Sequence, residues 1–305
     1  MKREWLMLAQ VYERFVSGVL ISEKLDGVRA FWDGGVSRGK SFVPYSNDSR
    51  VATGLWSRYG NVLSAPDWWL DKLPPFPLDG ELWMGRGRFQ DTVSTVRKHI
   101  PGDWSGVTYQ VFDSPPMQAV LEEGQINNVN DKRYITSSMY DWWRNNGGQS
   151  LVPYGTPYVE TYRKLQEHGL GIEQTECWLS KEFDKALNEA PDNVEGLMIR
   201  FPNACWTPKR VPTLLKAKRL RSGVAVVNYV TGGKGKHLGR IGSINVTDGS
   251  TFDISGFTDA ERTVPEMLVP GLRYNYHTGR TMAYTYRELT DDGKPKEARF
   301  EKWLS

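Results

Sequence analysis

At 305 residues, 39% hydrophobic and with twelve tryptophans, the chain is that of a folded protein and not a disordered one. It has room for two domains, and it lacks any run of about 18 apolar residues that would span a membrane. The net charge of +3 is modest but unevenly spread: from Lys209 to Arg240 there is no Asp or Glu, and such a one-signed stretch points to a polyanion partner, nucleic acid included. The two cysteines, Cys177 and Cys205, make no disulfide framework and are expected to be reduced. Met1-Lys2-Arg3-Glu4-Trp5 enters mixed charge directly, without a signal-peptide core. The expected location is the cytoplasm, or the periplasm if a leader has been removed.

In chain order, Trp5, Leu8, Val11, Tyr12 and Phe15 recur at helical spacing and predict a short N-terminal helix over 4–16. Val19-Leu20-Ile21 and Ala30-Phe31-Trp32 then read as two strands joined by a turn at Asp26-Gly27. Between them lies Glu23-Lys24-Leu25-Asp26-Gly27-Val28-Arg29. On an extended segment Lys24 and Asp26 share a face, and the turn returns Arg29 towards them. A lysine freed of its proton by desolvation or neighbouring charge can attack phosphorus, and an arginine fork suits phosphate oxygens. Arg38, in Val36-Ser37-Arg38-Gly39-Lys40, is a second candidate phosphate ligand. Residues 41–77, rich in Ser, Asn, Pro and Trp, predict an irregular insertion with one helix.

Asp79-Gly80-Glu81-Leu82 places a carboxylate, Glu81, where it could accept a ribose hydroxyl or hold a metal. Residues 89–100 predict a helix, and Val107 to Asp113 a strand whose Phe112 is either core or a base-stacking platform. Helices are expected over 132–145, 160–169 and 180–190, followed by a buried strand, Val194 to Arg200, carrying Glu195. Leu214 to Lys218 is a strand with Lys216 and Lys218 on one face, an arrangement most easily explained by an anion between them. Beyond Arg221, five short strands alternate with Gly-, Asp- and Lys-rich turns, the pattern of a small β-barrel such as an OB-fold. The expected domains are 1–220 and 221–305.

The ordered set Lys-x-Asp-Gly-x-Arg, Ser-Arg, Asp-Gly-Glu-Leu, Phe-Asp, Glu-Gly-Leu-Met and Lys-x-Lys before a barrel resembles the covalent nucleotidyltransferases: ATP-dependent DNA ligases, RNA ligases and capping enzymes. The finer text, including Gly85-Arg86-Gly87, Gly233-Lys234-Gly235-Lys236 and Gly256-Phe257-Thr258-Asp259, is most similar to the short ATP-dependent DNA ligases of the Lig E type. The likeness covers nearly the whole chain except 41–70 and 146–160. It implies an α+β fold: a nucleotidyltransferase (adenylation) domain of antiparallel sheets with flanking helices, then a β-barrel OB-fold domain. It also implies a monomeric enzyme, free of the membrane, that seals nicks in duplex DNA using ATP and Mg²⁺ or Mn²⁺.

By the same resemblance, Lys24 carries AMP with Asp26 beside it, and Glu23 lines the nucleotide site. Arg29 and Arg38 hold phosphate, Glu81 binds ribose, and Phe112 stacks on adenine. Glu195, with Glu81, binds the metal, and Lys216 and Lys218 grip the α-phosphate. Arg38, Lys209, Arg210, Arg219, Arg221, Lys234 and Lys236 face DNA. The tail from Asp292 to Lys302 departs from the basic closing motif of larger ligases. The same lysine chemistry would serve an RNA ligase or a capping guanylyltransferase, and a non-catalytic OB-fold nucleic-acid binder is the remaining alternative.

Overall fold

A computed structural model describes residues 5–123, 137–191, 193–290 and 292–305. The chain divides into two compact units, Met1–Ala217 and Lys218–Ser305. No helix among the described residues is long and apolar enough to cross a membrane.

The first unit holds strands β1 (Leu8–Val11), β2 (Val19–Glu23), β3 (Val28–Asp33), β4 (Leu55–Ser57), β5 (Pro77–Trp83), β6 (Thr108–Asp113), β7 (Thr175–Cys177), β8 (Leu197–Arg200) and β9 (Arg210–Ala217). Its helices are α1 (Asp67–Leu70), α2 (Phe89–Val96), α3 (Ser137–Asn145), α4 (Tyr158–Glu167) and α5 (Ser180–Glu189). The start of the helix expected at 132 lies outside the described residues; its remainder is α3.

Two sheets form, in the orders β1-β9-β8-β2-β7 and β4-β3-β5-β6. The second is antiparallel throughout. The first is mixed, because β1 runs parallel to β9 where an N-terminal helix was expected. Helical spacing misleads here: Trp5, Leu6 and Met7 are all buried in succession, whereas Val11, which a helical stripe would bury, is 54% exposed. The segment instead donates backbone hydrogen bonds along β9 and to the residue before it, Leu8 N to Lys209 O at 2.9 Å and Tyr12 N to Lys216 O at 3.0 Å.

Residue alternation decides which side chains meet the site. Val19 and Ile21 of β2, Leu197 and Ile199 of β8, and Leu215 and Ala217 of β9 pack together with Phe183 of α5. The intervening Ser22, Met198, Arg200, Leu214 and Lys216 line a cavity instead. In the second sheet Phe31 enters one core with Trp5, Trp56 and Trp143, while Ala30 and Trp32 enter another with Leu78, Leu82 and Trp104. Residues 41–70 are not an appended insertion. They supply edge strand β4, whose Leu55 and Trp56 are fully buried, and add Tyr45 and Trp69 to the two cores.

The second unit holds β10 (Arg221–Gly232), β11 (Ile241–Asp248), β12 (Ser250–Ile254), β13 (Arg273–Tyr274), β14 (Thr281–Tyr286), a short hairpin of β15 (Glu288–Leu289) and β16 (Pro295–Lys296), and β17 (Arg299–Trp303). The sheet order is β12-β11-β10-β14-β17, with β13 also on β10. The expected closed barrel is not formed by a continuous ladder. Among the described residues the edge strands meet at one parallel bridge, Ser255 to Arg299, because β12 has ended at Ile254 where β17 begins. Alternating residues such as Ala225, Val227, Ile244, Val246, Met282 and Tyr284 fill its core.

Candidate active site

A cavity of about 710 Å³ opens in the first unit, lined from both of its sheets and from the loop 57–63. Lys24 follows β2 directly. Its backbone N donates to Gly196 O at 2.8 Å, and its Nζ forms an ion pair with Glu195, so one loop fixes both ends of the lysine. Glu195 is 9% exposed and Lys24 21%, which leaves the amine reachable from the cavity. Gly27 allows the turn to press on β5: a Cβ there would lie 2.3 Å from Leu82 O and 2.8 Å from Glu81 Cγ.

Arg29, on β3, donates Nε and Nη2 to the two oxygens of Asp79 at 2.9 and 2.6 Å, and Nη1 to Met7 O at 2.6 Å. Its guanidinium carbon lies 5.4 Å from the centre of the Phe112 ring. Thus fixed, it presents a planar cation under an aromatic face rather than a swinging arm. Glu81 pairs in register with Arg29. Burial pushes its carboxyl up to about 7; Lys24 and Arg29 pull it down, and Asp79 and Glu195 push it further up. Glu81 and Glu195 are therefore electrostatically coupled around one lysine.

The structure brings Glu23, Lys24, Arg29, Glu81, Phe112, Arg210 and Lys216 to the cavity wall. Glu23 is engaged by a fork from Arg86 at 2.8 and 2.6 Å. Glu195 joins the group through Lys24. Asp26 does not line the cavity: β2 ends at Glu23, so residues 24–27 form a turn and Asp26 is exposed there, not on a strand face shared with Lys24. Lys218 lies past the end of β9, in the second unit, as do Arg219, Arg221, Lys234 and Lys236. Lys209, Lys234 and Lys236 are exposed.

Arg38 lies away from the cavity wall, bound at its surface to Asp67 and Asp71 at 2.6 and 2.7 Å. A second Ser-Arg pair faces the cavity in its place. Ser57, at the end of β4, pairs with Ala30 of β3, and Arg58 follows it into the lining beside Tyr59. Reading from the residues missed this pair, although Ser57-Arg58-Tyr59-Gly60 carried as much signal as Ser37-Arg38-Gly39. It also missed Arg200, which lines the cavity between the Tyr158 ring, 4.2 Å away, and Asp113, whose Oδ2 accepts from Nη2 at 2.5 Å.

No cluster of three or more His, Cys, Asp or Glu side chains suited to a metal occurs among the described residues. Two coupled carboxylates, Glu81 and Glu195, nonetheless fit a Mg²⁺-type ion, which takes one or two carboxylates and completes its shell with water and substrate phosphates. The cysteines are unpaired, Cys177 buried and Cys205 exposed.

Residues 232–303 match the DNA ligase OB-like domain family. Over 300 residues the chain is 28% identical to a DNA ligase of Haemophilus influenzae, covering 97% of this chain and 90% of that one. It also shares its fold with a structure from a structure–function study of Lig E DNA ligases, at 24% identity and a TM-score of 0.66, with 98% of each chain covered. The proteins that this lysine-bearing chain is similar to are DNA ligases. The similarity to DNA ligases extends through both units of the chain.

Proposed function

We propose that the protein seals nicks in duplex DNA with ATP, through an AMP carried on Lys24. The observation that carries this is the placement of Lys24 against Glu195 and Glu81, in a cavity that also offers Arg29, Arg58, Lys216 and the Phe112 ring. Transfer to phosphorus needs in-line approach, charge neutralisation and little else from the protein. The Nζ atom attacks the α-phosphorus of ATP. A P–N bond forms, the bond to the pyrophosphate oxygen breaks, and the amine loses a proton. An oxygen of the nick 5′-phosphate then takes the AMP, breaking the P–N bond. Finally the 3′-hydroxyl attacks the 5′-phosphorus, losing its proton and releasing AMP.

The chain's own groups divide this work. Phe112 stacks on the base, with Arg29 held beneath it by Asp79. Glu81 meets the ribose hydroxyl, and Lys216 the α-phosphate. Glu195 orients the lysine and, with Glu81, would hold a divalent Mg²⁺ or Mn²⁺ ion, whose bound charge would offset that of the phosphoryl oxygens. Arg58, Lys209, Arg210, Lys234 and Lys236 meet DNA phosphates, giving salt-sensitive affinity with little sequence preference. A curled OB-type barrel in the second unit belongs to the same assignment.

Incubation with labelled ATP or GTP and Mg²⁺, followed by intact mass, tests this for wild type and Lys24→Ala. The expected result is an AMP adduct on wild type only, discharged by nicked DNA. A GMP adduct would move the protein to the capping enzymes. No adduct with either nucleotide would overturn nucleotidyl transfer.

A further inference from the structure

One wall of the cavity is built from residues linked as a chain of neighbours. Ile172 N donates to Val111 O at 2.7 Å, which sets Ile172 beside Phe112. Tyr158 Oη donates to Phe112 O at 3.0 Å. Ser22 pairs with Met198 across β2 and β8, while Ile21 pairs with Thr175 across β2 and β7. Gln174, one residue before Thr175, therefore comes next to Ser22, on the opposite side from Met198. Phe112, Ile172, Met198, Ser22 and Gln174 all line the cavity. Phe112, Ile172 and Met198 give this wall an aromatic and apolar surface, bordered by Lys216, which pairs with Met198 across β8 and β9, and by Arg200 on the Tyr158 ring, so a base stacked on Phe112 lies at this wall.

Gln174 is held in a defined orientation. Its Nε2 donates to Tyr158 Oη at 3.0 Å. Tyr158 has one hydroxyl proton and gives it to Phe112 O, so it can only accept from Gln174. The amide nitrogen must face the tyrosine, and this leaves Gln174 Oε1 buried without a hydrogen-bond partner. An acceptor shut off from water and unpaired is unfavourable until a donor reaches it. The terminal amide torsion is soft, so the oxygen can tilt to a ligand without backbone movement.

We propose that Gln174 reads the nucleobase, its Oε1 accepting a hydrogen bond from the exocyclic 6-amino group of adenine. A base with a carbonyl at that position sets acceptor against acceptor and is refused, which selects ATP over GTP. This rests on the nucleotidyl transfer proposed above.

The test measures adduct formation at limiting nucleotide by the full chain, wild type and Gln174→Leu. The probes are ATP, the triphosphate of unsubstituted purine riboside (hydrogen at position 6) and inosine triphosphate (carbonyl at position 6). Wild type is expected to use ATP about tenfold better than the 6-hydrogen analogue, the worth of one hydrogen bond to a group otherwise left unpaired, with the 6-carbonyl analogue poorer still. Gln174→Leu is expected to use ATP and the 6-hydrogen analogue equally, and the latter at the wild-type rate, which also shows the variant to be folded. If wild type ignores the 6-amino group, or Gln174→Leu keeps the wild-type preference, the role of Gln174 is overturned while an adduct on Lys24 leaves nucleotidyl transfer standing. Should Gln174→Leu react with nothing, Gln174→Met is read in its place, and a preference for ATP kept at the wild-type level overturns the role. Wild type reacting with no nucleotide overturns both.

Discussion

Asp79 and Asp113 lie directly opposite each other across β5 and β6, both almost fully buried, and each is answered by its own arginine. Asp79 takes the fork of Arg29 from the neighbouring strand, whereas Asp113 takes Arg200 from the other sheet. The two sheets are thus joined by charge beside Phe112. Burial above all pushes the Asp113 carboxyl up; Arg200 opposes this and Asp79 adds to it. Arg200→Met leaves an unpaired buried carboxylate and is expected to destabilise by about 3–5 kcal/mol, most of which Arg200→Met with Asp113→Leu restores. Urea unfolding followed by tryptophan fluorescence measures this in the first unit, which holds every tryptophan but Trp303. A double variant as unstable as the single one would show that the pair is not the source.

Gly27 has no room for a side chain, since the atoms a Cβ would strike include a strand carbonyl that cannot step aside. Gly27→Ala should push the turn off β5 and carry Lys24 with it. Overpacking of this kind costs about 1–3 kcal/mol, and a displacement near 1 Å is worth about 100-fold in rate. Gly102→Ala is the control, because its Cβ would meet only the end of the Lys98 side chain at 3.6 Å. The adduct rate should fall in the first and hold in the second. Equal rates would show that the turn has slack.

What could be read from the residues was what alternation fixes. Lys216 on β9, Phe112 on β6 and Glu81 on β5 reach the cavity from strands placed by apolar runs. What could not be read was decided by pairing between distant segments. Nothing local tells Ser37-Arg38 from Ser57-Arg58; the difference is that β4 pairs with β3 beside Lys24, whereas Arg38 finds Asp67 and Asp71. Likewise Trp5 to Val11 carries helical spacing, and only β9 offers it a ladder. Gln174 and Arg200 are single polar residues whose surroundings come from three separate strands and a helix, so no motif announces them.

Glu81 makes stability depend on pH. Its folded-state value of about 7 lies above the ordinary 4.5, so the folded state binds the proton more tightly than the unfolded chain. That contribution is complete below about pH 4.5 and is lost as pH rises through 7, a span worth at most about 3 kcal/mol. Glu81→Gln cannot ionise and removes it. Between pH 5 and pH 8, wild type should therefore lose more stability than Glu81→Gln, by an amount approaching that figure. Denaturant midpoints of both proteins at the two pH values decide it, and parallel losses would place the Glu81 carboxyl in its ordinary range.

Arg58 and Arg38 offer the sharpest contrast between surface charge and site charge. Arg38 is bound to two carboxylates that are themselves 85% and 63% exposed, and such pairs are worth about 0–1 kcal/mol. Asp67 and Asp71 also offset its charge towards an incoming phosphate. Arg58 sits in the cavity lining one residue after β4, where a phosphate bound near Lys24 lies within the same space. Arg58→Ala should weaken binding to nicked duplex of any sequence and reduce the slope of log affinity against log salt by about one, the mark of one lost phosphate contact. Arg38→Ala should leave both affinity and slope as in wild type. Fluorescence anisotropy of a nicked hairpin across a salt series reads both quantities. The opposite pattern, with Arg38→Ala losing the contact and Arg58→Ala keeping it, would return the phosphate role to Arg38 and require Asp67 and Asp71 to release it on DNA.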